Sequence, residues 1–300
     1  MSKQTIYLIG ILATIISGTF LYNKFCCKEC CSEKTQATVP VGVDSATNSF
    51  NIVGNDFNYA SVDNFKFLSN DFKNIQPVND SINIGIDQLK AYFDKNKNQT
   101  LNITGYALSS EKNTSAYPNL GIARANDVKN YFVSKGFNAD RFETFGEIKD
   151  VWTVIKDTVV GPVDFKISEI AAVSENKTED WNALKSKINA NPLILYFNTN
   201  QTEIELSAEQ RQKIADLSKY LDHVSDAKIS SVGHTDNVGD RTINIKLGKN
   251  RADFAKQYLS NNGIAQDKIE TTSKGPDEPI ADNATADGKS KNRRTVITLK

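Results

Sequence analysis

The chain has 300 residues, and its 36 basic and 36 acidic side chains balance to a formal net charge of zero. This length exceeds a typical single domain and indicates two domains, or one domain with extensions. The charge balance, without a basic stripe interleaved with aromatic residues, argues against nucleic-acid binding.

An uncharged apolar segment occupies residues 6–22, IYLIGILATIISGTFLY. A helix of about 17 residues would reach roughly 25 Å, close to the hydrocarbon thickness of a bilayer. A cleaved signal peptide is the alternative, but the bulky and charged residues that follow the small ones, FLYNKF at 20–25, do not suit a cleavage site. We therefore expect residues 1–31 to form a membrane anchor with a single uncleaved transmembrane helix.

Four cysteines follow this segment directly, as Cys26, Cys27, Cys30 and Cys31. The rest of the chain has none, so disulfides cannot staple its folded regions. Three interpretations remain open: an intermolecular disulfide, a zinc site of four thiolates, and lipid attachment. We favour the first, which predicts a disulfide-linked homodimer, and we expect no cofactor.

Beyond a predicted flexible tether at residues 32–49, two segments resemble each other, 102–147 and 230–275. The matched pairs are Gly105 with Gly233, Leu120-Gly121 with Leu247-Gly248, Arg124-Ala125 with Arg251-Ala252, and upstream FLSN at 67–70 with FNTN at 197–200. These matches predict a tandem duplication, with copy one at 50–170 and copy two at 192–300, joined by a linker at 171–191.

The elements of copy two follow from hydrophobic patterning. Strands are predicted at 193–197, 228–233, near Ile269 and at 295–299. Ser207 and Gln210 form a predicted capping box for a helix with one apolar face, and a longer helix ends at Gly263. A short helix is expected at 181–188 within the linker. Alternating strands and helices predict an α/β (α+β) sandwich with helices packed on a mixed sheet.

A specific motif set runs through copy two: GHTDNVG at 233–239, Asn244, LG at 247–248, RA at 251–252, and NRR at 292–294. This joint spacing resembles the C-terminal peptidoglycan-binding domain of the OmpA family. That family's pattern is HTD, a glycine, Asn-x-x-Leu-Ser-x-x-Arg-Ala, then Asn-Arg-Arg. The resemblance covers residues 192–300. Together with the predicted duplication, it implies two tandem βαβαβ domains of this kind.

The resemblance implies a ligand, the diaminopimelate-containing stem peptide, which presents an ammonium and a carboxylate on one carbon. Asp236 matches the family's acid and would take the ammonium. Arg251 matches its base and would fork the carboxylate with two hydrogen bonds, which lysine cannot do. Further candidates are a second cation, Arg293 or Arg294, and the neutral groups of Asn244, Asn200 and Thr235. Taken singly, the Asp236 segment would be an Asx turn, Arg251 a solvated arginine and His234 a packing residue; only their combination favours a site.

Two positions depart from the family pattern, because Asn198 stands where aspartate is usual and Gly248 where serine is usual. We expect these changes to tune affinity. In copy one, Leu108 replaces the acid and Gly161-Pro162-Val163 replaces the closing motif, so Arg124 is expected to lack its acid. Copy one is therefore predicted not to bind the stem peptide. Three roles remain open for residues 50–170: a spacer, a docking surface for a protein partner, or a pocket for another ligand. The loop at 109–117, with Glu111, is the first place to look for a partner.

These features predict a non-catalytic tether of a cell-envelope membrane to the wall, with periplasmic domains and an inner-membrane anchor favoured over an outer-membrane one. An alternative is a wall-anchored accessory subunit of a MotB-like stator or envelope transport complex, with copy one as docking module. The apolar segment has no ionisable residue, so ion conduction by this chain alone is not expected. No H-E-x-x-H, G-x-S-x-G or folded-region cysteine indicates a wall-cleaving enzyme.

Overall fold

The computed structural model describes residues 49–54, 56–152, 154–169, 180–197 and 205–300, which fall within one compact unit, Ser45–Lys300. The predicted anchor at 6–22, the four cysteines, nearly all of the tether, Asn198 and Asn200 lie outside the described residues. Within the described ranges, no helix is long and apolar enough to cross a bilayer. The unit contains two lobes, each built on its own main sheet.

Lobe one (residues 49–169) has a main sheet of five strands in the order β2-β1-β8-β4-β5. Its strands are β1 Phe50–Val53, β2 Asn58–Ser61, β4 Gln99–Ala107, β5 Phe142–Ile148 and β8 Val163–Glu169. A smaller sheet contains β3 Lys66–Leu68, β6 Val154–Ile155 and β7 Thr158–Val160. Its strand order is β3-β7-β6. The helices are α1 Asp80–Lys95 and α2 Leu120–Ser134, capped by the side chains of Asn79 and Asn119. Their apolar faces and the sheet enclose a phenylalanine-rich core.

Lobe two (residues 180–300) has a sheet of four strands in the order β11-β10-β12-β9. Its elements are α3 Trp181–Ala190, β9 Leu193–Tyr196, α4 Ala208–His223, β10 Ile229–His234, α5 Arg241–Asn261, β11 Ile269–Gly275, α6 Ala286–Asn292 and β12 Arg294–Leu299. The predicted capping box is present, and Ile214, Leu217 and Leu221 are buried as the periodicity requires. The mixed α/β fold is confirmed. Helix α6 was not predicted, because its seven residues are polar and show no apolar period.

Helix α3 makes the second half of the predicted linker part of lobe two. Ile188 lies in the core of this lobe. The Asn189 side chain donates to the carbonyl of Leu299 at 2.9 Å and accepts from its amide at 2.8 Å, so it extends the edge of the final strand. The short helix expected at 181–188 is therefore present, and it packs as an integral element.

The two main sheets share the arrangement of three strands. In lobe two, β10 is parallel to β11 and antiparallel to β12. In lobe one, β4 is likewise parallel to β5 and antiparallel to β8. The fourth strand differs, since β9 is antiparallel to β12 whereas β1 is parallel to β8. Duplication of the chain remains a prediction, and the shared strands and following helix are the part of the structure that agrees with it.

A glycine pair brings the second helix against the central strand in each lobe. A Cβ on Gly233 would lie 1.8 Å from the carbonyl oxygen of Gly248, and one on Gly105 would lie 2.1 Å from that of Gly121. Only glycine tolerates so close an approach of two backbones. The contact fixes the helix against the strand three residues before Arg251 and Arg124. A Cβ on Gly248 would itself lie 2.3 Å from Ser273 Oγ and 2.9 Å from the Gly233 carbonyl oxygen, so a side chain at position 248 would also need its neighbours to shift.

The lobes contact each other through loop 109–117 and helix α4. Tyr117 is buried and its hydroxyl lies 3.2 Å from the Ser218 hydroxyl. The amide of Ala116 donates to Asn262 at 2.7 Å, and Lys129, which is almost fully buried, pairs with Asp222. The loop expected to dock a foreign protein is thus partly occupied by lobe two of the same chain.

Candidate binding site

Asp236 lies in the turn that follows β10, opposite the start of β12. Its Oδ2 accepts a hydrogen bond from Arg293 Nη1 at 3.0 Å, and its Oδ1 accepts from the amide of Val238 at 3.2 Å. Asp236 therefore closes the Asx turn with one carboxylate oxygen and pairs with Arg293 through the other. The carboxylate is about five-sixths buried, with a side-chain exposure of 16%, so its pairing is screened less than that of a surface acid.

Arg251 projects from α5 toward the same turn. Its Nη1 donates to the carbonyl of His234 at 2.9 Å, and its guanidinium lies 5.8 Å from the ring centroid of Phe197. Burial and the nearby Arg293 lower the pKa of Arg251, while Asp236 opposes them. Among the described residues, no carboxylate pairs with Arg251, and its Nη2 and Nε have no hydrogen-bond partner.

The site carries more positive charge than negative charge. Two guanidinium groups, Arg251 and Arg293, lie near one carboxylate, Asp236, which pairs with Arg293 alone among the described residues, so the site has a formal excess of one positive charge. The Nε atom of Arg293 is buried and has no partner in the described parts of the chain. A site with surplus charge and unpaired donors is suited to an anionic group.

Two further predicted residues hold the turn. Asn244 is buried and its Nδ2 donates to the carbonyl of Val238 at 2.9 Å. Thr235 is also buried; its amide donates to Gly275 at 2.9 Å and its hydroxyl to the carbonyl of Asp236 at 2.8 Å. Both side chains therefore position Asp236 through the backbone. Asn200, the remaining neutral candidate, lies outside the described residues.

The Asn-Arg-Arg segment divides between site and scaffold. Of its two arginines, only Arg293 pairs with Asp236; Arg294 is buried and donates to the carbonyls of Asn292 and Glu278 at 3.4 Å and 3.2 Å. The Asn292 side chain accepts from the amides of Ile280 and Ala281, which fastens the preceding loop. Arg294 thus supports the fold, and Arg293 is the arginine of this segment that lies beside Asp236.

His234 is a buried packing residue beside the site. It is buried, and the Nδ1 atom of its ring has no partner among the described residues. Burial and the neighbouring Arg294 lower its pKa to about 4. The ring is therefore neutral near pH 7, as a packing residue should be.

The equivalent arginine of lobe one has a different environment. Arg124 is fully buried, its Nη1 donates to the carbonyl of Tyr106 at 2.9 Å, and it lies 5.2 Å from the ring centroid of Phe67. It also forks the Glu111 carboxylate, with Nη1 to Oε2 at 2.9 Å and Nη2 to Oε1 at 2.5 Å. Leu108 does leave Arg124 without the counterpart of Asp236, but the loop after β4 supplies another acid, Glu111, whose pairing with Arg124 the sequence comparison did not predict.

Phe197, Phe67 and Glu111 were not predicted as part of these pockets. The two phenylalanines could have been found, because they open the matched FNTN and FLSN segments. Glu111 carries no such signal, since its contact depends on the path of a loop that has no counterpart of the same length. Among the described residues, no cluster of His, Cys, Asp and Glu could hold a metal ion.

The described fold and site define lobe two as a small mixed α/β domain with a paired acid and guanidinium site beside the end of its central strand. Residues 196–293 match the sequence model described as the OmpA family. This part of the chain is therefore an OmpA-family domain, as its motifs predicted.

Two curated relatives each match between 34% and 39% of the chain. The chain is 37% identical over 103 residues to the peptidoglycan-associated lipoprotein of Buchnera aphidicola subsp. Baizongia pistaciae, covering 34% of this chain and 58% of the relative. It is 38% identical over 118 residues to the peptidoglycan-binding protein ArfA of Mycobacterium tuberculosis, covering 39% of this chain and 35% of the relative. The chain thus spans less than two thirds of either relative.

Among solved structures, the peptidoglycan-associated lipoprotein from Burkholderia pseudomallei aligns over 36% of this chain and 89% of its own, with 23% identity and a TM-score of 0.32. The C-terminal domain of Helicobacter pylori MotB aligns over 37% of this chain and 84% of its own, with 22% identity and a TM-score of 0.31.

Proposed function

We propose that lobe two binds peptidoglycan without catalysis, by clamping the zwitterionic end of a diaminopimelate-containing stem peptide, and so tethers a cell-envelope membrane to the wall. The observation that carries this proposal is the contrast between two arginines. Arg124 and Arg251 each donate to a strand carbonyl and each lie near a phenylalanine ring. Among the described residues, only Arg124 pairs with a carboxylate. Arg251 is the arginine that still lacks a carboxylate partner among the described residues.

Lobe one supplies a pattern for the bound carboxylate. Besides the guanidinium of Arg124, Glu111 accepts from the amide of Leu108 at 2.9 Å. Leu108 occupies the position of Asp236, whose own amide has no partner among the described residues. We therefore assign the ligand carboxylate to Arg251 and the Asp236 amide, with two parallel hydrogen bonds from the guanidinium.

The ligand's ammonium would go to the Asp236 carboxylate. Arg293 neutralises this carboxylate in the free domain, so the ammonium competes with it. The incoming carboxylate offsets that competition, because it brings the negative charge that the two arginines lack. A ligand with both groups on one carbon satisfies Asp236 and Arg251 together, whereas an amine or an acid alone leaves one of them unbalanced.

Non-catalytic binding fits the chemistry of these residues. Arg251 remains protonated at neutral pH, so it cannot accept a proton as a general base. The relatives named above are described as peptidoglycan-associated and peptidoglycan-binding. The periplasmic placement, the inner-membrane anchor and the tether belong to the same proposal.

Co-sedimentation of the full chain with purified sacculi tests the proposal. We expect Asp236→Ala and Arg251→Ala to lose binding by about 30-fold or more, because each leaves one charge of the ligand unpaired. Arg251→Lys keeps the charge but removes the fork and should also weaken binding. Matched controls are Arg241→Ala and Asp253→Ala, which alter exposed ion pairs on or beside the same helix. Equal pelleting of all variants, above a control without sacculi, would refute the clamp.

The alternative, a wall-anchored accessory subunit of a stator or transport complex, uses the same clamp and adds a protein partner on lobe one. Loop 109–117 offers that partner less surface than the sequence suggested, because Tyr117 and Ala116 are buried against lobe two. Crosslinking of the full chain in cells separates the two proposals, since only the second requires a constant protein neighbour.

A further inference from the structure

We propose that Arg124 heads a carboxylate-binding site whose ligand is Glu111 of the same chain, and that the loop fastened in this way docks lobe one onto lobe two. The site is fully closed, with side-chain exposures of 0% for Arg124 and 1% for Glu111. An ion pair this deeply buried persists only when hydrogen bonds satisfy nearly every donor and acceptor.

The receptor half of the site is complete without Glu111. Arg124 Nε donates to the carbonyl of Asp71 at 3.0 Å, Nη1 to Tyr106 at 2.9 Å and Nη2 to Leu68 at 3.4 Å. The ring of Phe67 covers the guanidinium. These contacts hold the guanidinium with one edge directed at Glu111, as a receptor for a planar carboxylate requires.

The ligand half is received by backbone amides as well. Glu111 Oε2 accepts from Leu108 at 2.9 Å and Oε1 accepts from Asn70 at 3.0 Å. Burial alone would raise the pKa of Glu111, but Arg124 and these amides outweigh it and lower the pKa. The carboxylate is therefore ionised and fully coordinated.

The fastened loop continues directly into the contact between the lobes. Asn70 binds it twice more, since its Oδ1 accepts from the amide of Lys112 at 2.7 Å and its carbonyl accepts from the Thr114 hydroxyl at 2.6 Å. Two residues later, the Ala116 amide donates to Asn262 of lobe two. The binding of Glu111 by Arg124 and the contact of the loop with lobe two are thus linked through about five residues of chain.

The test is chemical rescue of Glu111→Ala in the full chain, with Glu147→Ala, an exposed glutamate on β5, as control. We expect Glu111→Ala to lower the Tm by about 10 °C, since it leaves a buried guanidinium unpaired. Acetate should restore several degrees in a saturable manner, whereas chloride at the same ionic strength should not. Glu111→Gln fills the pocket and should show no acetate effect.

Several outcomes would overturn the proposal. They are a Glu111→Ala protein as stable as the control, or one that responds equally to acetate and chloride. If Glu111→Ala does not fold in chloride, refolding in acetate supports the site and failure in both salts rejects it. Amide hydrogen exchange tests the docking: the Ala116 amide should exchange faster in Glu111→Ala while β10 stays protected, and unchanged protection of Ala116 would reject the coupling.

Discussion

At the scale of single residues, one local arrangement recurs in both lobes of this chain. An arginine three residues after a helix glycine donates to a strand carbonyl and lies over a phenylalanine in both lobes. The aromatic ring and the carbonyl orient the guanidinium, because a planar cation is fixed by a face contact and an edge contact together. What differs is the acid, which is Glu111 within the loop of lobe one and is proposed to come from the wall in lobe two.

The neutral, buried His234 predicts a pH effect on stability. Its pKa is about 4 in the folded chain, below its ordinary value of 6.5. The unfolded chain therefore binds the proton first, so the contribution of His234 is present above pH 6.5 and is lost as the pH falls toward 4. We expect a loss of about 2 kcal/mol between pH 7.5 and pH 5.

Urea unfolding of wild type and His234→Gln at the two pH values measures this effect. His223, whose pKa is raised, changes stability in the opposite direction but contributes equally to both proteins. The difference between the two proteins thus isolates His234. A pH dependence that is the same in both would contradict a neutral His234.

At the scale of elements, helix α5 and strand β10 pack so closely that a side chain at Gly233 would overlap the helix backbone. We expect Gly233→Ala to destabilise the chain by about 2 kcal/mol or more, because the added methyl group would overlap the Gly248 carbonyl. Ser230→Ala on the same strand is the control, since it removes only a hydroxyl that is partly exposed. Chemical denaturation gives both values, and similar midpoints for the two variants would show that helix and strand can separate without cost.

Elements with a local signal were predictable, and contacts set by chain path were not. The face of α4 followed from Ile214, Leu217 and Leu221, because helical spacing alone decides burial there. From the sequence, Arg293 and Arg294 are equally good candidates for the second cation. Which of them faces Asp236 depends on the exact residue at which β12 begins. The sequence places Glu111 in a loop but does not predict its burial, because that burial depends on tertiary packing.

At the scale of the whole molecule, the lobes share buried contacts and should unfold together. Lys129 loses its counterion if Asp222 departs, and separation would also expose Tyr117 and Ala116. The cost of uncovering a buried charge and apolar surface favours a single cooperative unit.

The two tryptophans of the chain test this expectation, because Trp152 lies in lobe one and Trp181 in lobe two. Trp152 packs on Tyr106, and Trp181 stacks on His223. In Trp152→Phe and in Trp181→Phe, the remaining tryptophan reports one lobe while circular dichroism reports both. We expect the fluorescence and dichroism curves of each variant to coincide in urea, and a fluorescence transition well separated from the dichroism would show independent lobes.

The seated Glu111 has a consequence for competition. A carboxylate tethered thirteen residues from its arginine is present at an effective concentration of millimolar or more, whatever the composition of the surroundings. Soluble wall fragments at micromolar levels would therefore leave lobe one unchanged, even at levels that would saturate lobe two under the proposed function. One chain would then hold a carboxylate receptor that is indifferent to wall turnover beside one that responds to it.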